Sequence, residues 1–215
     1  MTRAVVFDLD GTLLNTLDDL ADSANFSLSR RGYPIHETER YKIFVGNGVD
    51  TLMERILPEN KRTPEEVACL MDIFAKRYAA HSLDKTRPYD GILKLLRALG
   101  EREIKTAVVS NKPDPATKQV IFHFFGEDTF DVVAGGGAGF PLKPDPALTV
   151  HTLSSMEIPP ADALFVGDTM MDMRTAKSAG CVAVGVTWGF RTRDELLKNG
   201  ADHIIGAPEE LIGLL

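Results

Sequence analysis

Two aspartates, separated by a single residue, stand where an apolar run ends near the start of the chain. The run is Val5–Phe7, the acids are Asp8 and Asp10, and Gly11 follows at once as a turn residue. A carboxylate at the end of a buried strand is costly unless a positive charge meets it. In a parallel sheet, the carboxyl ends of the strands are also where α/β proteins bind ligands. The segment therefore predicts a metal-assisted reaction at one edge of a parallel sheet.

Other polar residues follow the ends of later predicted strands or precede a helix. These candidates are Ser110 and Asn111, Lys143 before Pro144, Asp168, and Asp172. Because parallel strands end at one edge of a sheet, residues far apart in the sequence can share a site there. A single aspartate at a strand end more often caps a helix or forms a turn. The prediction of a common site therefore depends on the convergence of these residues.

Four carboxylates would meet at this edge, those of Asp8, Asp10, Asp168 and Asp172. Crowded carboxylates repel one another, and one of them would take up a proton unless a cation lay among them. The candidate ligands are all oxygens, which favours Mg²⁺, an ion that also bridges to substrate phosphate. Such a metal would let an anionic phosphate approach an anionic nucleophile.

Strand patterns alternate with helical patterns in the parts of the chain that carry these residues. After the first strand, strands are predicted at 105–110, 131–134, 163–168, 182–186 and 202–205, and helices at 92–99, from about 145, at 170–179 and from about 209. Right-handed crossovers between such strands produce a Rossmann-like, doubly wound parallel sheet. The predicted fold class is therefore α/β.

Residues 16–84 differ from the rest because they show helical patterns only, at 16–31, 37–45, 48–57 and 64–81. We expect a core domain of residues 1–15 and 85–215, with residues 16–84 inserted as an α-helical cap domain. The alternative is a single continuous layer in which these helices cover the sheet. An inserted cap would open and close about hinges near 14–16 and 84–88, and closure would exclude water from the site.

The composition excludes several classes of function. The chain has 215 residues, of which 44% are hydrophobic, and its net charge of -7 argues against binding nucleic-acid phosphates. No apolar run reaches the roughly 20 residues of a membrane span. A strand begins after three residues, which leaves no room for a signal peptide, so a cytoplasmic location is expected. Cys69 and Cys181 fit no metal-binding pattern and are expected to be buried, reduced thiols.

Four segments resemble, in order and placement, the motifs of the haloacid dehalogenase superfamily. They are Asp8-Leu9-Asp10-Gly11-Thr12-Leu13, Ser110-Asn111, Lys143-Pro144 and Gly167-Asp168-Thr169-Met170-Met171-Asp172. The helical insertion after the first motif resembles one cap type of that superfamily. Because Asp10 is present, the resemblance is to the branch that acts on phosphate esters, since the carbon–halogen hydrolases lack this acid. Response-regulator receivers also combine such residues, but they are far shorter and have no insertion at this place.

The resemblance implies a hydrolase that takes a phosphoryl group onto its own carboxylate. Asp8 would be the nucleophile and would form an aspartyl-phosphate. Asp10 would protonate the leaving alkoxide, would later activate the hydrolytic water, and would lend its backbone carbonyl to the metal. Lys143 would neutralise charge on Asp8 and on the phosphoryl oxygens.

The resemblance also implies the groups that bind the metal and the phosphate. Mg²⁺ would be held by Asp8, Asp10 and Asp168, with Asp172 in support. The phosphoryl group would meet Ser110, Asn111 and the turn that contains Gly11 and Thr12, whose backbone amides suit an oxyanion.

A second resemblance bears on the substrate. Residues 44–49 and 52–55 of the insertion, with 187–190 of the core, are similar to phosphoglycolate phosphatases. Gly46 and Asn47 would then bind a small carboxylate, although Gly46-Asn47-Gly48 is equally suited to be only an interhelical turn.

Hydrolysis is favoured over phosphohexose mutation, because residues 15–20 lack the histidine that such mutases carry there. The expected partner is a small phosphorylated metabolite, with 2-phosphoglycolate favoured. A pyrophosphatase and a broad sugar-phosphate phosphatase are the alternatives. A catalytically silent relative that binds through its cap is disfavoured by the complete set of acids, and both a monomer and a dimer stay open.

Overall fold

The structure is a computed structural model that describes residues 2–137 and 139–215. The chain divides into two compact units. One unit consists of Met1–Asn15 and Pro88–Leu215, and the other consists of Thr16–Arg87. The predicted insertion, residues 16–84, falls within the second unit, and the role of that unit as a cap domain stays a prediction.

A parallel sheet forms the centre of the first unit. The strands in the described part of the chain are β1 (Ala4–Phe7), β2 (Leu14–Asn15), β3 (Arg87–Pro88), β4 (Lys105–Pro113), β5 (Val132–Gly136), β6 (Ala163–Gly167), β7 (Val182–Val186) and β8 (His203–Ile205). Six of them form one sheet in the order β5-β4-β1-β6-β7-β8, and all neighbouring pairs in it are parallel. The sheet grows outward from β1 in both directions, as in a doubly wound fold. The predicted α/β class is confirmed.

Helices connect these strands and make up most of the second unit. The α-helices of the described residues are α1 (Leu17–Arg30), α2 (Tyr41–Phe44), α3 (Val49–Ile56), α4 (Pro64–His81), α5 (Ile92–Gly100), α6 (Asp114–Phe125), α7 (Ala147–Ser155), α8 (Met170–Ala179) and α9 (Arg193–Lys198). Short 3₁₀ segments lie at Thr38–Arg40, Glu59–Lys61, Pro160–Asp162 and Pro208–Leu214.

The central strands are apolar along their whole length, as expected for parallel strands enclosed by crossover helices. Every residue of β1 and of β6 is buried. Val6 of β1 and Phe165 of β6 belong to one core cluster with Leu153 of α7 and Met173 of α8. The sheet is thus a rigid support for the residues that follow its strands.

Three elements differ from the prediction. β4 continues to Pro113 instead of ending at residue 110, and its pairing with β5 changes register between Val109 and Pro113. The expected helix from about residue 209 is the 3₁₀ segment Pro208–Leu214, where Gly213 disfavours a longer α-helix. The expected helix at 37–45 is divided into Thr38–Arg40 and α2.

In the second unit, α4 packs against both α1 and α3. Thr63 caps α4 by accepting a hydrogen bond from the Glu66 amide. The buried Asp19 of α1 accepts hydrogen bonds from the backbone amides of Lys85, at 3.0 Å, and Thr86, at 2.8 Å. This carboxylate therefore ties the segment after α4 back to α1.

Two features bear on predictions from composition. Within the described residues, no helix is both long enough and apolar enough to cross a bilayer. Cys69 and Cys181 are free thiols, of which Cys181 is buried and Cys69 is partly buried.

Candidate active site

The first predicted site residues meet because β1 and β6 are neighbours in the sheet. Phe7 lies opposite Val166, and the Asp8 amide continues the pairing by donating to the Val166 carbonyl at 2.9 Å. Asp8 and Asp168 therefore leave the sheet at nearly the same level. Both side chains are buried, as expected at the interior of a sheet edge.

Asp172 completes a cluster of three buried carboxylates. Each of Asp8, Asp168 and Asp172 offers an oxygen that lies within 4.8 Å of the other two. Asp172 belongs to the first turn of α8, where its Oδ2 accepts hydrogen bonds from the amide of Thr169 at 2.9 Å and from its hydroxyl at 2.6 Å. This capping arrangement fixes the direction of the Asp172 side chain.

Lys143 provides the positive charge that the cluster requires. Its Nζ donates to Asp8 Oδ1 at 2.8 Å, to Asp172 Oδ1 at 2.6 Å and to the Val109 carbonyl at 3.1 Å. The side chain is only 3% exposed, so these contacts are shielded from water. Among the described residues, no hydrogen-bond donor contacts the second carboxylate oxygen of Asp8, Oδ2. One oxygen of Asp8 is thus held, and the other is available for chemistry.

The burial of these charges shifts their proton affinities. Burial raises the pKa of Asp8 from its ordinary 3.8 to about 7, with the charge of Lys143 opposing the rise and that of Asp172 adding to it. Burial also raises the pKa of Asp168 well above its ordinary value, and the charges of Asp172 and Asp8 raise it further. For Lys143, burial acts to lower the pKa, but the charges of Asp172 and Asp8 outweigh that effect and raise it. The cluster therefore favours an additional cation.

Asn111 was predicted to lie beside the phosphoryl group, and the structure pairs its side chain with the backbone of Lys143. Asn111 Nδ2 donates to the Lys143 carbonyl at 3.1 Å, and the Lys143 amide donates to Asn111 Oδ1 at 2.7 Å. These two hydrogen bonds attach the loop that carries Lys143 to β4. A contact between Asn111 and a phosphoryl group stays a prediction.

Ser110 is placed differently from Asn111. Its Oγ accepts a hydrogen bond from the Lys112 amide at 3.2 Å, within the stretch where β4 changes register. A hydroxyl that accepts one hydrogen bond still has its own proton to donate. The predicted hydrogen bond from Ser110 to a phosphoryl oxygen is therefore compatible with this geometry.

Asp10 does not join the carboxylate cluster, because its side chain pairs with Lys112. Lys112 Nζ donates to Asp10 Oδ1 at 2.9 Å and to Oδ2 at 3.0 Å. Sequence reasoning missed Lys112, since it ended the strand at Ser110. The signal was present in the spacing, because residues two apart in a strand face the same side.

The turn after Asp10 bears on the predicted oxyanion contact of Gly11 and Thr12, which stays a prediction. The amides of Gly11 and Thr12 were expected to bind an oxyanion, but they donate to the carbonyls of Leu14, at 2.9 Å, and Leu9, at 3.3 Å. The turn uses these amides to close on itself, so they are occupied. Gly11 has a φ of 86°, and an added Cβ would collide with the Asp168 carboxylate. A residue other than glycine is therefore excluded beside Asp168.

The loop after β7 also supports Asp168. Asp168 Oδ2 accepts a hydrogen bond from the Phe190 amide at 2.7 Å, and the Thr12 hydroxyl lies 3.4 Å from Oδ1. Trp188 Nε1 donates to the Thr12 carbonyl at 3.0 Å. Tyr89 is a further neighbour that the sequence did not reveal: burial raises its pKa, and the charges of Asp168 and Asp10 raise it further.

The charges of this site do not balance when its aspartates are ionised. Four carboxylates face two ammonium groups: Asp8, Asp10, Asp168 and Asp172 against Lys112 and Lys143. The charge of Arg191 also acts on Asp168 and opposes the rise of its pKa, but Arg191 is itself paired with Glu195 at 3.3 Å. The excess of two negative charges is what a divalent cation would neutralise. Because Lys143 and Thr169 engage both oxygens of Asp172, Asp8 and Asp168 are the carboxylates best placed to bind such an ion directly. The residues therefore fit a metal with oxygen ligands.

Gly46 and Asn47 belong to the second unit, in the loop between α2 and α3. Gly46 has a φ of 114°, which favours glycine at this position. Arg55 Nη1 donates to the Phe44 carbonyl at 3.0 Å and to Asn47 Oδ1 at 3.2 Å, so it fixes the loop from within the unit. A substrate contact of Gly46 or Asn47 stays a prediction.

Comparisons with known proteins agree with this geometry. A family model described as haloacid dehalogenase-like hydrolase matches residues 5–186. A phosphoglycolate phosphatase of Mannheimia succiniciproducens is 36% identical over 208 residues, which cover 94% of this chain and 93% of that protein. A phosphoglycolate phosphatase of Thiobacillus denitrificans is 32% identical, with 94% and 91% covered. A crystal structure of a predicted phosphoglycolate phosphatase from Haemophilus somnus is similar with a TM-score of 0.92, 29% identity, and 99% and 97% covered.

Proposed function

The chain belongs to the haloacid dehalogenase-like hydrolase family, and from that premise we propose that it is a Mg²⁺-dependent phosphomonoester hydrolase acting through an aspartyl-phosphate on Asp8. The family resemblance predicted from the motifs is confirmed, as is the prediction of a phosphoric monoester hydrolase. One observation carries the proposed mechanism. Asp8 is buried beside Asp168, with one oxygen bound to Lys143 at 2.8 Å and the other without a donor among the described residues.

The metal would be held by Asp8 and Asp168, with the backbone carbonyl of Asp10 as the third ligand from the protein. When bound, Mg²⁺ neutralises charge on the phosphate and on the nucleophile. Phe190 and Thr12 hold Asp168 in place for this purpose. The site has an excess of negative charge, and we propose that Mg²⁺ is the ion that neutralises it.

In the first half-reaction, an oxygen of Asp8 forms a bond to phosphorus, and the bond from phosphorus to the leaving oxygen breaks. Lys143 stabilises the negative charge that collects on the phosphoryl oxygens. The Ser110 hydroxyl donates a hydrogen bond to one of these oxygens. Asp10 enters this step in its protonated form and gives that proton to the leaving oxygen, which departs as an alcohol.

In the second half-reaction, a water oxygen bonds to phosphorus while Asp10 takes one of the water protons. The bond between phosphorus and Asp8 breaks, and its electron pair returns to the Asp8 carboxylate. The products are inorganic phosphate and the original enzyme. Asp10 thus acts as an acid in one step and as a base in the other.

For the substrate, we propose 2-phosphoglycolate, because curated relatives that share 36% and 32% identity over most of their length are phosphoglycolate phosphatases. Gly46 and Asn47 are proposed to bind its carboxylate, in a loop that Arg55 keeps rigid. We further propose that residues 16–84 serve as the cap. The strands β2 and β3, which pair with each other, lie at the two places where the cap would hinge.

A panel of phosphate esters tests the proposed substrate. We expect purified protein with Mg²⁺ to release phosphate from 2-phosphoglycolate with the highest kcat/KM, ahead of sugar phosphates and pyrophosphate. EDTA should abolish release, and restored Mg²⁺ should recover it. Higher kcat/KM for pyrophosphate or for several sugar phosphates would reject 2-phosphoglycolate as the substrate. Full activity in EDTA would reject the metal.

Binding of Mg²⁺ should also stabilise the fold, and more so at higher pH. The pKa of Asp8 is raised from 3.8 to about 7 on folding. The favourable contribution of this carboxyl to the free energy of unfolding is therefore complete below pH 3.8 and is lost as the pH rises through about 7. Mg²⁺ binds the ionised carboxylates and reverses this loss, by about 2.7 kcal/mol at a hundred-fold excess over Kd. Calorimetric melting in Mg²⁺ and in EDTA, at pH values about one unit on either side of 7, measures the difference.

The matched variant is Asp168→Asn, which removes a ligand and a buried charge together. Its melting temperature should respond to Mg²⁺ no more than to the same concentration of NaCl. A gain equal to that of the original protein would show that Asp168 does not hold the ion.

A further inference from the structure

Lys112 is a buried cation for which the mechanism above has no use. We propose that Lys112 is a positioning residue that holds the Asp10 carboxylate in place for proton transfer to the leaving group. This inference rests on the proposed function, because it assigns Lys112 a role through the acid–base group of that reaction. It adds a residue that lies outside the four motifs.

The contact between Lys112 and Asp10 is close and symmetric. The distances from Nζ to the two carboxylate oxygens are 2.9 and 3.0 Å, so both oxygens face the ammonium group. The side chains are 4% and 13% exposed, and water screens the pair little. A carboxylate bound through both oxygens has lost its rotation about the last side-chain bond. The orientation of Asp10 is therefore set by Lys112.

The backbone of Lys112 is fixed as well. Its amide donates to Ser110 Oγ at 3.2 Å, and its carbonyl accepts from the Thr117 hydroxyl at 3.0 Å. The register change of β4 between Val109 and Pro113 includes this residue. Such irregularities re-aim side chains near active sites. Hydrogen bonds at both the amide and the carbonyl therefore fix the backbone of Lys112.

Stability alone does not explain a lysine at this place. Burying an ion pair costs desolvation free energy, and apolar residues of similar size often give an equally stable protein. Comparable pairs of the first unit, such as Lys105 with Asp131 and Lys177 with Asp202, have lysine side chains that are 53% and 50% exposed. Lys143 already serves Asp8 and Asp172. Of the two buried lysines, Lys143 therefore pairs with Asp8 and Asp172, and Lys112 pairs with Asp10.

A positioning role through Asp10 has a chemical signature. Asp10 supplies a proton to the leaving oxygen as the phosphorus–oxygen bond breaks, and an alkoxide needs that proton. A nitrophenolate departs as a stable anion and does not need it. Loss of Lys112 should therefore slow cleavage of an alkyl phosphate much more than cleavage of p-nitrophenyl phosphate.

The experiment compares Lys112→Met and Lys112→Arg with the unchanged protein in single-turnover kinetics with Mg²⁺. For Lys112→Met we expect the single-turnover rate on 2-phosphoglycolate to fall by about 10- to 100-fold, while the single-turnover rate of p-nitrophenolate release changes by less than about 3-fold. Lys112→Arg keeps the charge and two donors, so it should recover most of the rate on 2-phosphoglycolate. Lys118→Met is the control, because Lys118 pairs with Asp114 at 2.7 Å on the surface.

A double-variant cycle closes the test. In an Asp10→Asn background, Lys112→Met should cause no further loss on 2-phosphoglycolate, and this double variant also removes the unpaired buried charge that could impair folding. Equal slowing of both substrates, or the same loss in the Asp10→Asn background, would overturn the inference. Failure of the proposed function would look different, since the unchanged protein would then release no p-nitrophenolate with Mg²⁺.

Discussion

Asp8→Asn is expected to abolish phosphate release while leaving the protein folded. The amide has the shape of the carboxylate but is not a nucleophile, so the loss in kcat should be at least about 10⁴-fold. Burial has raised the pKa of Asp8 to about 7, which means that its charge is unfavourable in the metal-free site. The variant should therefore melt at the same temperature as the original protein or higher when EDTA is present.

Steady-state phosphate release and calorimetric melting of the same preparation measure both effects. Asp90→Asn is the matched control, because Asp90 is an exposed aspartate of the same unit. Its kcat should equal that of the original protein. Turnover by Asp8→Asn at the ordinary rate would remove Asp8 from the role of nucleophile.

Lys143→Met is expected to impair both activity and stability. Lys143 Nζ contacts Asp8 and Asp172 in a buried setting, and its removal leaves two carboxylates without their cation. Breaking one partner of a buried pair costs about 3–5 kcal/mol of unfolding free energy. Loss of a donor to the developing charge should lower kcat by about 10²- to 10³-fold.

Urea denaturation and steady-state kinetics separate these two effects. The double variant Lys143→Met/Asp172→Asn should regain much of the unfolding free energy, because one carboxylate has been neutralised, while its kcat stays as low as that of Lys143→Met. Lys177→Met, which removes an exposed ion pair of 2.7 Å, should change the unfolding free energy by less than about 1 kcal/mol. Activity restored in the double variant would show that Lys143 serves only to balance charge.

The position of the carboxylate cluster could be predicted from the sequence for a simple physical reason. β1 and β6 are apolar runs that end directly before aspartates, and parallel strands end at a shared edge. The α/β class follows from the same alternation of strands and helices. The proximity of Asp8 and Asp168 could therefore be predicted from the strand pattern alone.

Other features depend on local geometry that a strand pattern does not contain. Lys112 was missed because β4 continues through a register change that the sequence does not mark. The amides of Gly11 and Thr12 were expected to be free, but the turn closes upon Leu9 and Leu14. Asn111 is tied to the backbone of Lys143, a partner 32 positions away in the chain. In each case a local hydrogen bond or a change of strand register decides the arrangement, and the strand pattern specifies neither.

The most direct measurement looks for the phosphoryl group on Asp8 itself. Protein mixed with Mg²⁺ and p-nitrophenyl phosphate is quenched in acid within one turnover, digested, and analysed by mass spectrometry. We predict that the peptide containing Asp8 gains the mass of one phosphoryl group, and that fragmentation assigns it to Asp8 rather than Asp10. An unmodified Asp8 peptide in a sample that has released p-nitrophenolate, or a phosphoryl group on another residue, would contradict the proposed mechanism.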